Sequence, residues 1–226
     1  MTDVELGNYK TDKYDISVRH AFLRKVFCIV LAQLLCTAGV STVFQVFPPV
    51  TLFIAENAWI MFVNFIFVLV IIFPLQWKSR EVPLNYLLLT VFTISLSIFT
   101  GISLLFYNLQ SVIQIVIMTI VIVISLITFT LQTKYDFQVL HGMAISGMSI
   151  ITTSMFLSIF YKPTPALELC MDILGVFVFS VYLMVDVDYT YNKCDPEDYI
   201  LAATNIYLDI MNLFARLLSL FGEESN

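Results

Sequence analysis

Ionisable residues inside apolar segments are concentrated in the last third of this chain. The earlier apolar runs contain almost none, whereas the last two contain Asp172, Asp186, Asp188, Asp209 and Arg216. A charged side chain within a lipid-embedded helix costs roughly 2.5–3.5 kcal/mol, so such residues usually face a bundle interior or water. This cluster is therefore the first candidate for a functional site.

A polar stripe runs along the last apolar segment. Its members follow one another at spacings of seven, four, three and four residues, which places them on one helix face: Asp198, Asn205, Asp209, Asn212 and Arg216. A helix striped in this way lies either at a membrane interface or centrally, beside a hydrated path. Apolar residues surround the stripe on its other sides, which favours the central position.

Asp186 and Asp209 form the pair with the most specific chemistry. Asp186 is near the end of the sixth apolar segment and Asp209 near the middle of the seventh, so antiparallel neighbouring helices would bring their carboxyl groups close. Two such groups at low dielectric cannot both ionise cheaply, and they would share a proton and titrate as a coupled pair. Such a pair is a proton-sensitive latch, because deprotonation would separate the helices or recruit a cation such as Ca²⁺.

Simpler roles for these acids stay open. Asp209 could pair with Arg216, two turns further on, while Asp186 caps its helix in water. Asp172 lies about 21 Å from Asp186 on a similar face, where it would mark the far mouth of the same path. Asp188 points about 200° away from Asp186 and is expected to be solvated. The remaining residues expected to line the path or to act as counter-ions are Asn205, Asn212 and Arg216.

Membrane-spanning helices must position these residues. Hydrophobic residues make up 59% of the chain and charged residues 12%, unlike a water-soluble domain. Runs of about 20 apolar residues, enough to cross a bilayer, occur about seven times: Phe27 to Phe47, Ala58 to Trp77, Leu84 to Phe106, Gln110 to Leu131, Val139 to Phe160, Leu167 to Val185 and Tyr199 to Phe221. The sequence predicts an all-α integral membrane protein with a polar amino-terminal segment 1–26, a transmembrane domain 27–221 and a short polar tail 222–226.

Lysine and arginine residues indicate the orientation of the spans. If every run crosses, one side holds Lys10, Lys13, Arg19, Arg24, Lys25, Lys78, Arg80, Lys134 and Lys193. Lys162 lies on the other side. Because positively charged loops stay in the cytosol, the amino terminus is predicted to be cytosolic. The last segment is polar enough either to cross or to re-enter, so the side on which the carboxyl terminus lies stays open.

Other kinds of site are not indicated. The cysteines form no C-x-x-C pair, and the histidines, His20 and His141, are far apart in sequence, so no resident metal or cofactor is expected. No nucleophile and base combination, phosphate loop or zinc-protease motif is present. We expect neither an enzyme nor a nucleic-acid-binding protein, and we expect the lipid bilayer as the surroundings. The oligomeric state stays open.

Four sequence blocks resemble the transmembrane Bax inhibitor motif family, and in particular its Golgi anti-apoptotic (Lifeguard 4-like) branch. The blocks are VRHAFLRKVF from residue 18, VPLNYLLL from 82, FTLQTKYDF from 129 and DPEDYILAATNIYLDIMNLF from 195. They occur in the family's order over nearly the whole chain, and the last block is the most specific.

The resemblance implies two three-helix layers around a central seventh helix, with an aspartate pair as pH sensor between the sixth and seventh helices. The matching positions are Asp186 and Asp209, and Glu197 matches an acid that the Golgi branch is thought to use in ion conduction. The implied function is a pH-modulated, calcium-permeable leak channel of Golgi or endoplasmic reticulum membranes that lowers store calcium and inhibits apoptosis. Ca²⁺ would be the permeant ion, and protein partners would be other membrane proteins of calcium stores or apoptosis.

Departures from the family pattern leave a second function open. Val185 and Val187 stand where Tyr and Thr usually flank the first sensor acid, Leu96 where a Glu is common, and Arg216 where the Golgi branch has His. These positions concern conduction more than the fold. The alternative is a non-conducting membrane adaptor that regulates cell death through protein partners. Ion selectivity and the resting state of the path stay open.

Overall fold

The computed structural model describes residues 16–47, 49, 53, 56–57, 59–133 and 137–224. Within these ranges, seven helices are long and apolar enough to cross a membrane. They are α1 (Ile16–Val46), α2 (Trp59–Trp77), α3 (Leu84–Ser103), α4 (Leu109–Gln132), α5 (Gln138–Ser158), α6 (Pro165–Asn192) and α7 (Tyr199–Phe221). The predicted class, an all-α multi-spanning membrane protein, is confirmed.

Large apolar side chains cover the outer faces of these helices. Phe73 of α2, Ile124 of α4 and Phe156 of α5 are all exposed, and many neighbours on the same helices are similar. A contiguous apolar surface of this kind is unfavourable in water, but it is the natural exterior of a helix in lipid. The apolar runs therefore form helices because a bilayer leaves the backbone no other hydrogen-bond partners.

Two helices extend beyond their predicted spans. α1 begins at Ile16 rather than Phe27, and Phe22 and Val26 are already buried within it. α6 continues to Asn192, so Asp186 lies inside the helix rather than in the connection that follows it. Charged residues end an apolar run, but they do not end the backbone hydrogen bonding of a helix. Lys10, Lys13, Lys134 and the chain terminus at Asn226 lie outside the described residues.

The chain divides into two compact units. Unit 1 comprises the described residues of Met1–Asn108, Cys194–Tyr207 and Glu224–Asn226, and unit 2 comprises those of Leu109–Lys193 and Leu208–Glu223. Unit 1 thus contains α1 to α3 with the first part of α7, and unit 2 contains α4 to α6 with the rest of α7. This membership agrees with two groups of three helices that share the seventh.

Small residues allow close helix packing inside each unit. In unit 1, α1 and α2 both pack along α3, and a Cβ atom at Gly101 of α3 would lie 2.8 Å from the ring of Phe44 of α1. In unit 2, α6 packs along α4 and α5, with Gly147 of α5 directly against Val178 of α6. Glycine at such contacts is a common device of membrane helices, because apolar side chains gain little by association in lipid.

The last helix connects opposite ends of unit 1. At its start, Asp198 accepts two hydrogen bonds from Arg80, which lies between α2 and α3. Beyond its end, Glu224 forms a β-bridge with Tyr107, which lies beyond the other end of α3. The helix is unbroken between these two contacts, and it is long and apolar enough to cross a membrane.

Candidate functional site

The candidate site lies in unit 2 around Asp186 of α6 and Asp209 of α7. Their carboxyl groups lie within hydrogen-bonding reach of one another. Asp209 is buried, with 7% of its surface exposed, and Asp186 is half-buried. Among the described residues, no donor reaches Oδ2 of Asp209. The structure thus brings together the two acids that the sequence analysis paired, while their role as a sensor stays a prediction.

This arrangement has two chemical states. An ionised carboxylate only accepts hydrogen bonds, so a hydrogen bond between Asp186 and Asp209 requires a proton on one of them. With the proton shared, the pair has a single negative charge. Without it, two like charges repel each other in a poorly solvated place. The pair can therefore join α6 to α7 or push them apart, depending on one proton.

Two aromatic side chains that the sequence analysis did not select surround the pair. His141 of α5 packs edge-on against Tyr182 of α6, with ring centroids 6.2 Å apart. Both aspartates act electrostatically on Tyr182, and His141 acts on Asp186. Tyr182 lies one turn before Asp186 on the same face of α6, a spacing that could have identified it. His141 was not predicted, because a single histidine far from His20 in sequence gives no signal of a site.

The polar stripe of α7 is only partly enclosed. Asp209 is buried, but Asn205 and Asn212, one turn before and one turn after it, are exposed. The helix is nevertheless the most buried of the seven, with 67% of its span-length window buried against at most 44% for the others. This burial supports a central rather than an interfacial helix, with accessible amides on either side of a buried acid.

Arg216 pairs with Asp172 of α6 and not with Asp209. Its Nη1 donates to Oδ1 of Asp172 at 3.0 Å, and the Ser219 hydroxyl donates to Oδ2 at 2.6 Å. The suggested pairing of Asp209 with Arg216 is wrong, because two turns separate them by about 10.5 Å along α7 whereas Asp172 lies directly across. Both oxygens of Asp172 are engaged by these two residues, and its place at the far mouth of a path stays a prediction.

Gly175 makes room for this ion pair. A Cβ atom at Gly175 would lie 2.8 Å from Cδ and 2.9 Å from Cγ of Arg216. The arginine side chain therefore passes directly over the α6 backbone, close to Asp172. Met155 of α5 completes the surroundings, with its sulfur 4.0 Å from Nη2 of Arg216.

Glu197 belongs to a different cluster, at the α2–α3 end of unit 1. Arg80 donates to both oxygens of Asp198 at 2.7 Å and lies 3.6 Å from Glu197. Hydrogen bonding to Asp198 raises the pKa of the Arg80 guanidinium above its ordinary value. The Glu197 side chain is 77% exposed and so stands in water beside a cation. It is not part of the aspartate cluster of unit 2, and its role in conduction stays a prediction.

Comparison with known proteins identifies the family. A family profile described as inhibitor of apoptosis-promoting Bax1 matches residues 19–226. The chain belongs to the Bax inhibitor family. The resemblance inferred from the four sequence blocks is thereby confirmed.

Several named members of the Bax inhibitor family are similar over most of this chain. Protein lifeguard 4 of Mus musculus is 34% identical over 203 residues, which is 90% of this chain and 85% of its own. The Golgi anti-apoptotic protein of Vaccinia virus is 34% identical over 211 residues, 93% of this chain and 88% of its own. Bax inhibitor 1 of Schizosaccharomyces pombe is 32% identical over 211 residues, 93% of this chain and 79% of its own.

This Bax inhibitor family member also contains a neutral hydrogen-bond network in unit 1 that was missed from the sequence. The hydroxyl of Tyr207 lies 2.7 Å from Oγ1 of Thr37, which lies 3.0 Å from Oγ of Ser97. Gln33 donates to Thr93 at 3.0 Å. All five side chains are buried. The signal in α1 was the fourfold spacing of Gln33, Thr37 and Ser41, which are neutral and less conspicuous than ionisable groups.

The described residues contain no group of three or more His, Cys, Asp or Glu side chains that could hold a metal ion. The aspartate pair supplies two carboxyl groups, whereas Ca²⁺ takes about six to eight oxygen ligands. The suggested Ca²⁺ site at Asp186 and Asp209 would therefore need water for most of its ligands. Such a pair suits brief contact with a hydrated ion better than lasting retention of a bare one.

Proposed function

We propose that this protein is a pH-modulated, calcium-permeable leak channel of an internal membrane, which lowers stored calcium and thereby inhibits apoptosis. The observation that carries this proposal is the buried pair of Asp186 and Asp209 between two membrane-spanning helices. Acids in membrane spans are costly, and they commonly mark ion or proton pathways. The family description and the name of the viral relative support the anti-apoptotic outcome.

The aspartate pair provides the gating energy. Two ionised carboxylates within hydrogen-bonding reach of each other repel by roughly 3 to 4 kcal/mol at an effective dielectric constant of about 20. That energy changes the ratio of two conformations by roughly a hundredfold. Loss of the shared proton would loosen the α6–α7 contact and leave negative charge on the face that Asn205 and Asn212 extend. A hydrated cation would then replace the lost proton as the compensating charge.

The location follows from charge and from the relatives. We propose a Golgi or endoplasmic reticulum membrane, with the amino terminus in the cytosol and the carboxyl terminus in the lumen. Lys25 of α1 lies 3.1 Å from the ring centroid of Tyr199, and Arg80 binds Asp198, so these two basic residues lie at the same end of unit 1. Positive charge gathered at one end favours a cytosolic location for that end.

A proteoliposome experiment tests the leak. Vesicles that contain the purified protein, Ca²⁺ and a calcium indicator should release Ca²⁺ faster as the pH rises, because the aspartate pair then ionises. The isosteric change Asp209→Asn should remove this pH dependence. Asp188→Asn is the matched control, since Asp188 lies on α6 and accepts a hydrogen bond from Asn192 of its own helix. A leak with the same pH dependence in Asp209→Asn and wild type would reject the gating role of the aspartate pair, and a wild type without Ca²⁺ flux at any pH would reject the channel.

The alternative is a non-conducting adaptor that acts through protein partners. One observation favours it: the aspartate pair has only two carboxyl groups, and Val187 beside it is fully buried and offers no oxygen. An adaptor should still protect cells from apoptosis when it has both Asp186→Asn and Asp209→Asn. Loss of protection in this double variant, at normal expression and localisation, would count against the adaptor and for the channel.

A further inference from the structure

Arg216 places a fixed positive charge on the face of α7 that contains Asp209. The two residues are two turns apart, about 10.5 Å along the helix. The side chain of Arg216 is 24% exposed, so its charge is not sealed from the surroundings. Arginine stays protonated at any physiological pH. Without compensation, this charge would repel a divalent cation that moves along the same face.

Asp172 supplies the compensation. Arg216 donates to one of its oxygens and Ser219 to the other, so both oxygens of the carboxyl group accept a hydrogen bond. The side chain of Asp172 is only 12% exposed. Together the two residues form a neutral dipole rather than two separate charges. Gly175 allows this, because any larger residue would collide with the arginine side chain.

The α6–α7 junction depends on such polar contacts. The backbones of these two helices approach closely at few positions, whereas α6 packs along α4 and α5 over long stretches. The junction is bridged by the aspartate pair and, about 21 Å away along α6, by the contact of Asp172 with Arg216 and Ser219. The first bridge responds to protons. The second places the guanidinium of Arg216 beside the carboxyl group of Asp172 at 3.0 Å.

We propose that Asp172 determines the charge selectivity of this protein by neutralising Arg216, so that the polar face of α7 admits cations. This inference rests on the proposed leak function. It predicts that removing Asp172 and removing Arg216 change the charge selectivity in opposite directions, although the two residues form a single contact. If the contact only stabilised the fold, removing either residue would have the same effect.

The experiment measures the permeability ratio of Ca²⁺ to chloride in proteoliposomes. This ratio does not depend on how many protein molecules are folded. Asp172→Asn exposes the charge of Arg216 and should lower the ratio about tenfold. Arg216→Gln leaves Asp172 unbalanced and should raise the ratio. The double variant Asp172→Asn with Arg216→Gln restores neutrality and should return close to wild type.

Two further variants complete the test. Glu168→Gln removes an exposed acid one turn before Asp172 and should leave the ratio unchanged. Gly175→Ala alters no charge but displaces Arg216 from Asp172, so it should shift the ratio in the direction of Asp172→Asn. This variant tests the inference even if Asp172→Asn does not fold.

Three outcomes would overturn the inference. Shifts of the same sign in both single variants, or an unchanged ratio in both of them, would reduce the contact to a structural clamp. An unchanged ratio in a folded Gly175→Ala variant would also contradict it. These results would leave the leak itself intact, whereas a wild-type protein without measurable flux at any pH would reject the proposed function and this inference with it.

Discussion

The two units use different polar chemistry inside their apolar spans. In unit 1, neutral groups of Tyr207, Thr37 and Ser97 bind one another, and this network has no ionised member. In unit 2, the corresponding interior contains the aspartate pair and the contact of Asp172 with Arg216. Neutral hydrogen bonds contribute about 1 kcal/mol each at any physiological pH, whereas buried charges depend on their partners and on protons. Unit 1 is therefore suited to holding the first part of α7 at any physiological pH. Unit 2 is suited to responding to a change of pH.

The largest expected effect comes from leaving a charge of unit 2 without its partner. Arg216→Ala should lower the free energy of unfolding by about 3 kcal/mol, because it leaves the buried Asp172 without its ion-pair partner. Equilibrium unfolding in mixed detergent micelles measures this, and adding Asp172→Asn should recover most of the loss. A loss below about 1 kcal/mol, the size of a neutral hydrogen bond, would remove the contrast between the units.

The second effect is a dependence of stability on pH that unit 2 alone should show. We expect the folded wild type to be most stable at acidic pH, where Asp186 and Asp209 can share a proton. Its free energy of unfolding should fall by about 2 kcal/mol as the pH rises and the second carboxyl group ionises. Asp209→Asn should flatten this dependence in the same unfolding assay. A wild-type protein that is equally stable at acidic and at alkaline pH would show that Asp186 and Asp209 do not interact.

A smaller effect is expected in unit 1. Tyr207→Phe keeps the ring but removes the hydroxyl that lies 2.7 Å from Thr37. The free energy of unfolding should fall by about 1 kcal/mol, equally at acidic and alkaline pH. Thr37→Val serves as the partner in a double-mutant cycle, where the two losses should be less than additive. Strictly additive losses would mean that the two groups do not interact.

The smallest effect concerns reactivity at the polar end of unit 1. Burial, reinforced by Asp198 and Asp195, raises the pKa of the Cys194 thiol to about 11. The thiol should stay protonated at neutral pH, so alkylation should be slow there and accelerate only as the pH approaches that value. Rates measured in a variant without the other cysteines test this. Fast alkylation at neutral pH would show that the charges at this end do not act on the thiol.

The residues that sequence reasoning identified were those with an unusual type in an apolar setting. Asp186 and Asp209 stood out because carboxylates are rare in spans, and helical geometry indicated that they would meet. The Tyr207 network escaped notice because serine and threonine are inconspicuous in membrane helices, where they often bond to their own backbone. The partner of Arg216 was missed because Asp209, two turns away on the same helix, was the acid that its spacing suggested. Which one it reaches depends on how α6 lies beside α7.

The sequence by itself determined the class of this protein, its helical spans and its family, because the bilayer imposes a length and an apolar composition on each span. It also determined which acids are costly enough to need a function. Only the tertiary structure decided which charges meet. Pairing across helices depends on packing, such as the passage of Arg216 over Gly175, and no spacing along one helix encodes it. Asp186 of α6 thus faces another acid, Asp209, whereas Asp172 of the same helix faces Arg216.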